Sequence, residues 1–200
     1  MRRAYACLLW LGLALFPSAA LAQQKGTVVV LIPGSGGPVP NDFAMRNQRR
    51  IGAAGFETKV AVTAGEAAVA ASAAKSQGRK AVFVGMSRGA NVAASALASG
   101  APAAGVVFVS GNLKEVAARL GSPAKLPAAL IVHHRNDACA STPPSGVDFL
   151  QKWSGGKARV SWISNTGAAA PNPCGPRGAH GFFMNDGAAV SAIIGFIRSR

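Results

Sequence analysis

Acidic side chains are scarce. Seven Asp and Glu stand against 21 Lys and Arg in 200 residues, leaving a formal net charge of +14 at pH 7. So one-sided a balance favours loose association with anionic envelope surfaces such as phospholipid or acidic polymers. Aromatics are also few, 6% of the chain, and no basic run is interleaved with them, so nucleic acid is not an expected partner. Among the basic residues Arg46, Arg49 and Arg50 cluster most densely, and their spacing predicts a solvated helix face rather than an anion site. There is no internal repeat and no linker-like stretch, which excludes a multi-domain or solenoid plan.

Long hydrophobic runs are missing too. The N-terminal apolar run from Cys7 to Phe16 is broken at once by Pro17 and Ser18, too soon to span a bilayer. With Arg2 and Arg3 before it and Ala20-Leu21-Ala22 before Gln23, residues 1–22 are predicted to be a secretory signal peptide. Cys7 lies inside the run rather than at its cleavage end, which argues against a lipoprotein anchor. The expected mature chain, 23–200, is one domain, exported to the periplasm or secreted, with a charge of +12 once Arg2 and Arg3 are removed. Cysteine is nearly absent from it. Cys139 and Cys174 are the two that remain, and two thiols in an exported chain are expected to form one disulfide.

What the mature chain does contain is a succession of short apolar, partly β-branched runs: Thr27 to Ile32, Glu57 to Val62, Ala81 to Val84, Gly105 to Val109, Ala128 to His133 and Arg159 to Ile163. Near-continuous apolar runs, without strict alternation, suit strands covered on both faces by helices. Helices are predicted over Phe43 to Ala53, Gly65 to Ser76, Arg88 to Ala98, Leu113 to Leu120, Ser145 to Trp153 and Asp186 to Arg198, with Gly55, Gly78, Gly100 and Gly121 placed as left-handed caps beyond four of them. The fold class is α/β: a single doubly wound, mostly parallel sheet of six strands. Asn165 to Gly181 is long for a loop in a compact domain, and such loops are usually functional or disordered.

Ligands of open parallel sheets bind beyond the carboxyl ends of the strands. Four segments fall there. Pro33-Gly34-Ser35-Gly36-Gly37 follows the first strand, with backbone amides open to close approach. Gly85-Met86-Ser87-Arg88-Gly89 joins the third strand to a helix, the setting of a nucleophile elbow in which a strained turn lifts the serine hydroxyl clear of the sheet. His133-His134-Arg135-Asn136-Asp137 follows the fifth strand, and His180 lies in the long loop after the sixth.

From the elbow, the glycine turn and the order Ser, acid, His, the chain resembles the α/β-hydrolase superfamily over nearly the whole mature length. Carried over residue by residue, the resemblance implies Ser87 as nucleophile, His180 as general base and then acid, and Asp137 as the group orienting His180. It implies the amides of Ser35 and Arg88 as an oxyanion hole, with Gly85 and Gly89 as the elbow glycines. Departures are informative: full-sized members carry two further strands before the first one here and many insert a lid, whereas here one short helix joins the fourth and fifth strands. The site is expected to be an open groove with an apolar rim drawn from Phe43, Met45, Leu113, Phe182 and Phe183, the last two being better suited to the core.

The implied activity is cleavage of a small-molecule carboxylic ester through an acyl-enzyme on Ser87, without cofactor. Thioesterase, amidase or dienelactone-hydrolase-like chemistry would use the same residues, although the last group places cysteine where Ser87 stands. A non-catalytic binding protein of the cell envelope is the alternative from another class. His133 and His134 rival His180 but sit at a strand end, where packing is expected. Asp186 rivals Asp137 but is expected to cap the last helix. A metal site from His133, His134, Asp137 and a cysteine is disfavoured because an oxidised cysteine pair is no ligand. A disulfide between Cys139, two residues after Asp137, and Cys174, six before His180, would tie the acid loop to the base loop.

Overall fold

The computed structural model describes residues 26–164 and 170–200. The signal peptide assigned to residues 1–22 and the start of the long loop, residues 165–169, lie outside the described residues. Six strands form one sheet: β1 (Thr27–Ile32), β2 (Glu57–Val60), β3 (Lys80–Met86), β4 (Gly105–Val109), β5 (Ala129–His134) and β6 (Ala158–Ile163). Their order is β2-β1-β3-β4-β5-β6 and every pairing is parallel.

Parallel neighbours need crossovers, and helices supply them. Five do so, α1 (Phe43–Ala53), α2 (Ala64–Ser76), α3 (Arg88–Ala98), α4 (Leu113–Leu120) and α5 (Gly146–Trp153), and a sixth, α6 (Asp186–Arg198), follows the last strand. The period-2 geometry of β1 divides its side chains between two layers. Val28, Val30 and Ile32 join the core under α2 to α5, while Val29 and Leu31 face Phe43, Ile51 and the α6 residues Ile193 and Ile197. Alanine fills much of the first layer, where Ala67, Ala71, Ala90, Ala93 and Ala94 let helices sit close to the sheet. The larger side chains supply most of the burial free energy, roughly 1.5–3 kcal/mol for each fully buried Val, Leu, Ile or Phe.

Strand order reverses between β1 and β3, because the chain moves outward to β2 and then returns past β1. The crevice at that reversal is where a ligand site is expected. All four cap glycines, Gly55, Gly78, Gly100 and Gly121, have positive φ.

Several ends shift by one residue, and two boundaries differ by two residues for physical reasons. β2 stops at Val60 because the Val62 amide turns to Glu66 Oε2, 2.7 Å away, in the capping box that starts α2. It is also a largely exposed edge strand rather than one covered on both faces. β3 runs past Val84 to Met86, since Gly85 and Met86 still pair with Phe108 and Val109.

Candidate active site

The elbow is built by close approach. A Cβ at Gly85 would lie 2.8 Å from the Ala90 nitrogen, and one at Gly89 would lie 2.7 Å from the Pro33 carbonyl oxygen and nearer still to that of Ile32. Only glycine allows β1, β3 and α3 to meet so tightly. Between them Ser87 has φ 51° and ψ −116°, a conformation that costs a non-glycine residue of order 1–3 kcal/mol. The surroundings hold it there: the Ser87 amide donates to Val109 O at 2.8 Å, and Ser87 O accepts from the Ala90 amide at 3.0 Å. Although Ser87 occupies the N-cap of α3, its side chain makes no capping bond.

Across the crevice, the buried Asp137 carboxylate faces the ring of His180, with Oδ2 2.9 Å from Nδ1. Carboxylate oxygens accept, so Nδ1 carries a proton, and in the neutral imidazole the lone pair is on Nε2. The Asp137 carboxylate is itself fixed: Oδ1 accepts the Cys139 amide at 2.9 Å, and the Thr142 hydroxyl lies 3.4 Å from Oδ2 and 3.1 Å from His180 Nδ1. His180 stands on a short 3-10 turn, Ala179–Gly181, and is 2% exposed.

Two links hold that turn against the sheet. Cys139 and Cys174 form a disulfide that spans 35 positions, with Cα atoms 4.6 Å apart. Arg46 supplies the second. Its guanidinium pairs with Asp186 at 2.7 Å and donates to the carbonyls of Gly181, Asn41 and Pro176.

His133 and His134 are packed at the end of β5, as their strand position implies. His133 Nε2 donates to Thr142 O at 3.1 Å and lies 3.6 Å from Asp137 Oδ2. Burial pushes its pKa below the ordinary histidine value, against the raising influence of Asp137. His134 is buried, with Nδ1 accepting the Asn136 amide at 3.0 Å.

The glycine turn after β1 faces Ser87 from the other side. Gly37 donates to Gly34 O at 3.1 Å, and the Gly34 amide donates to Asp42 Oδ2 at 2.9 Å. Among the described residues the Ser35 amide has no acceptor, and the Arg88 amide is in the first turn of α3, where the helix offers it none. Burial pushes the Asp42 carboxyl up from its ordinary value, and the Gly34 and Ala44 amides pull it back.

Ser35, Ser87 and His180 line one cleft of about 290 Å³, walled by Val39, Phe43, Met86 and the disulfide. Of the expected apolar rim, Phe43 alone lines it. Leu113 is buried in the opposite layer and Met45 packs on the α1 side, while Phe182 lies in the core with its ring 5.3 Å from that of Phe43. The rim is instead Val39 and Met86, because the turn after β1 folds Val39 back over Gly36.

Two expectations are corrected. Arg46 is not solvated like its neighbours Arg49 and Arg50; its side chain is 15% exposed and clamps the His180 turn. Asp186 does not cap α6, whose N-cap is Asn185; it sits in the first turn and is the partner of Arg46. Thr142 and Asp42 had no sequence signal as site residues. Asp42 was readable as a helix cap from its place before Phe43, but its second bond to Gly34 was not.

No family model matches the sequence, and no curated protein matches it. Solved structures do. The esterase domain of a Rhodothermus marinus protein superposes with a TM-score of 0.61 at 10% identity, covering 88% of each chain. An α/β-hydrolase enzyme from the metagenome of sediments from the lagoon of Mar Chica, Morocco, gives a TM-score of 0.59 at 14% identity, over 89% of this chain and 93% of that one. An esterase from Exiguobacterium antarcticum gives 0.59 at 11%, over 86% and 92%. The chain has the α/β-hydrolase fold.

Proposed function

We propose that this protein is an exported serine hydrolase that cleaves small carboxylic esters. The observation that carries the reading is that Ser87, on a strained elbow, shares one cleft with His180, whose Nδ1 is held 2.9 Å from the buried Asp137 carboxylate. A serine hydroxyl is a poor nucleophile at neutral pH unless a base removes its proton as it attacks. His180 Nε2 is that base. Ser87 Oγ bonds to the ester carbonyl carbon, and the carbonyl electron pair moves onto oxygen, where the Ser35 and Arg88 amides receive it. Each such donor is worth about 10²- to 10³-fold in rate. Collapse expels the alkoxide, which takes the proton from His180. Water, deprotonated by His180, then attacks the acyl-enzyme; collapse breaks the Ser87 Oγ–acyl bond, Oγ takes its proton back from His180, and the acid is released. Asp137 holds the imidazole in the required tautomer and balances its positive charge when it is protonated.

The esterase names of structural neighbours support this choice within the hydrolases. The small open cleft favours short or loosely held acyl groups. Export is supported by the N-terminal segment and by the cross-linked cysteines, since disulfides persist in oxidising compartments. The test is turnover of p-nitrophenyl acetate. Ser87→Ala is expected to lower kcat by at least ~10³-fold with unchanged circular dichroism, and a folded variant that retains activity would remove Ser87 from the mechanism.

A further inference from the structure

The proposed oxyanion hole depends on one amide in a glycine-rich turn, a segment with little side-chain packing to hold it. Ser35 is exposed, yet its N–H must keep one direction. That N–H belongs to the same peptide plane as the Gly34 carbonyl and points the opposite way. Gly37 holds the carbonyl at 3.1 Å, which fixes one edge of the plane. The preceding peptide is held through the Gly34 amide, bonded at 2.9 Å to Asp42 Oδ2.

We propose that Asp42 is the positioning residue of the oxyanion turn: its buried carboxylate pins Gly34 and thereby aims the Ser35 amide at the position the substrate oxyanion will occupy. This rests on the serine hydrolase reading. Helix capping explains only half of what Asp42 does. Oδ1 accepts the Ala44 amide at 2.8 Å, the ordinary bond of an N-cap. Oδ2 reaches back eight residues, out of the helix, to the turn. The residue is 7% exposed and lines the cleft itself. A Cβ built on Gly34 would lie 3.3 Å from Asp42 Oδ2 and 3.5 Å from Ser87 Cβ, so the Gly34 backbone is sandwiched between the carboxylate and the nucleophile. Asp42 touches no reacting atom; it acts through the backbone that does.

Asp42→Ser separates the two bonds, because one hydroxyl oxygen can cap α1 but cannot also serve Gly34. Four quantities are measured on wild type and variant: the melting temperature, kcat and KM for p-nitrophenyl acetate, and inhibition by a short-chain trifluoromethyl ketone, whose hemiketal places an oxyanion in the hole. D42S is expected to melt close to wild type, with kcat about 10- to 100-fold lower, a part of what losing one donor outright costs. KM should change less than about 3-fold, and ketone inhibition should weaken by the factor lost in kcat/KM, since both report oxyanion stabilisation. If D42S does not fold, Asp42→Asn, which keeps the volume but a single acceptor oxygen, takes its place with the same expectations.

A folded variant with kcat within 3-fold of wild type overturns the assignment. So does a kcat loss with unweakened ketone inhibition, which would put the effect on the base. Wild type that does not turn over the ester, or turns it over without Ser87, overturns the hydrolase reading. Wild type blocked by the ketone beside an equally blocked D42S overturns Asp42 alone.

Discussion

The disulfide offers the most quantitative prediction. Replacing both cysteines, Cys139→Ser with Cys174→Ser, removes a cross-link that spans 35 positions. On the chain-entropy model a loop of that length restrains the unfolded chain by about 3.8 kcal/mol at 25 °C, an upper figure because the reduced chain retains some order. At about 2–4 °C per kcal/mol for a domain of this size, the melting temperature should fall by up to roughly 8–15 °C. Activity should suffer less. The Cys139 amide still donates to Asp137 Oδ1 in the double variant, and Arg46 still holds the carbonyls of Gly181 and Pro176. What is lost is the direct tie between the two loops, so a fall in kcat of about 10-fold, or 1.4 kcal/mol, is expected at temperatures where the domain is folded. Guanidinium titration followed by circular dichroism gives the stability, and ester turnover at 25 °C gives kcat. A double variant with the midpoint and kcat of wild type would refute the reasoning, as would two titratable thiols in the folded protein purified without reductant.

Other perturbations test separate links. Gly89→Ala places a methyl group 2.7 Å from Pro33 O at the base of the glycine turn. Neither backbone can yield without moving Ser35 or Ser87, so kcat/KM should fall by more than about 100-fold and stability by about 1–3 kcal/mol; an unaffected enzyme would contradict the elbow geometry. His133→Gln tests linkage. The folded pKa of His133 is depressed by burial, whereas the unfolded chain takes up the proton near ~6.5, so below that pH the unfolded state binds more protons and stability falls as pH falls, by at most about 1.4 kcal/mol per unit. Glutamine keeps an N–H for Thr142 O without titrating, so its stability relative to wild type should rise between pH 7 and pH 5; a constant difference would mean His133 titrates normally when folded.

How much of this was legible beforehand depended on whether the information was local. The apolar runs of β1 and β4, the glycines beyond four helices and the G-x-S-x-G turn each act over a few residues, and all are where the pattern put them. Even the edge position of β2 left a trace in Glu57 and Lys59, whose charges suit an exposed strand. Of the supports of the site the Cys139–Cys174 disulfide was legible, because two cysteines leave one pairing, but the polar supports were not. Arg46 and Asp186 are separated by 140 positions, and the spacing of Arg46 with Arg49 and Arg50 reads equally well as a wet helix face. Thr142 lies in a loop without periodicity, and its hydroxyl matters only because Asp137 and His180 converge on it. Such polar contacts exist only after the fold has formed, so nothing in the neighbouring sequence has to record them.

The central claim is that Ser87 is a nucleophile activated by His180, and covalent capture tests it most directly. The chain without its first 22 residues, incubated with a fluorophosphonate, should gain one phosphonyl group in its intact mass, mapped by peptide sequencing to Ser87. His180→Ala, folded by circular dichroism, should label at least ~10²-fold more slowly. An adduct on another residue, or no adduct on folded wild-type protein, would contradict the account.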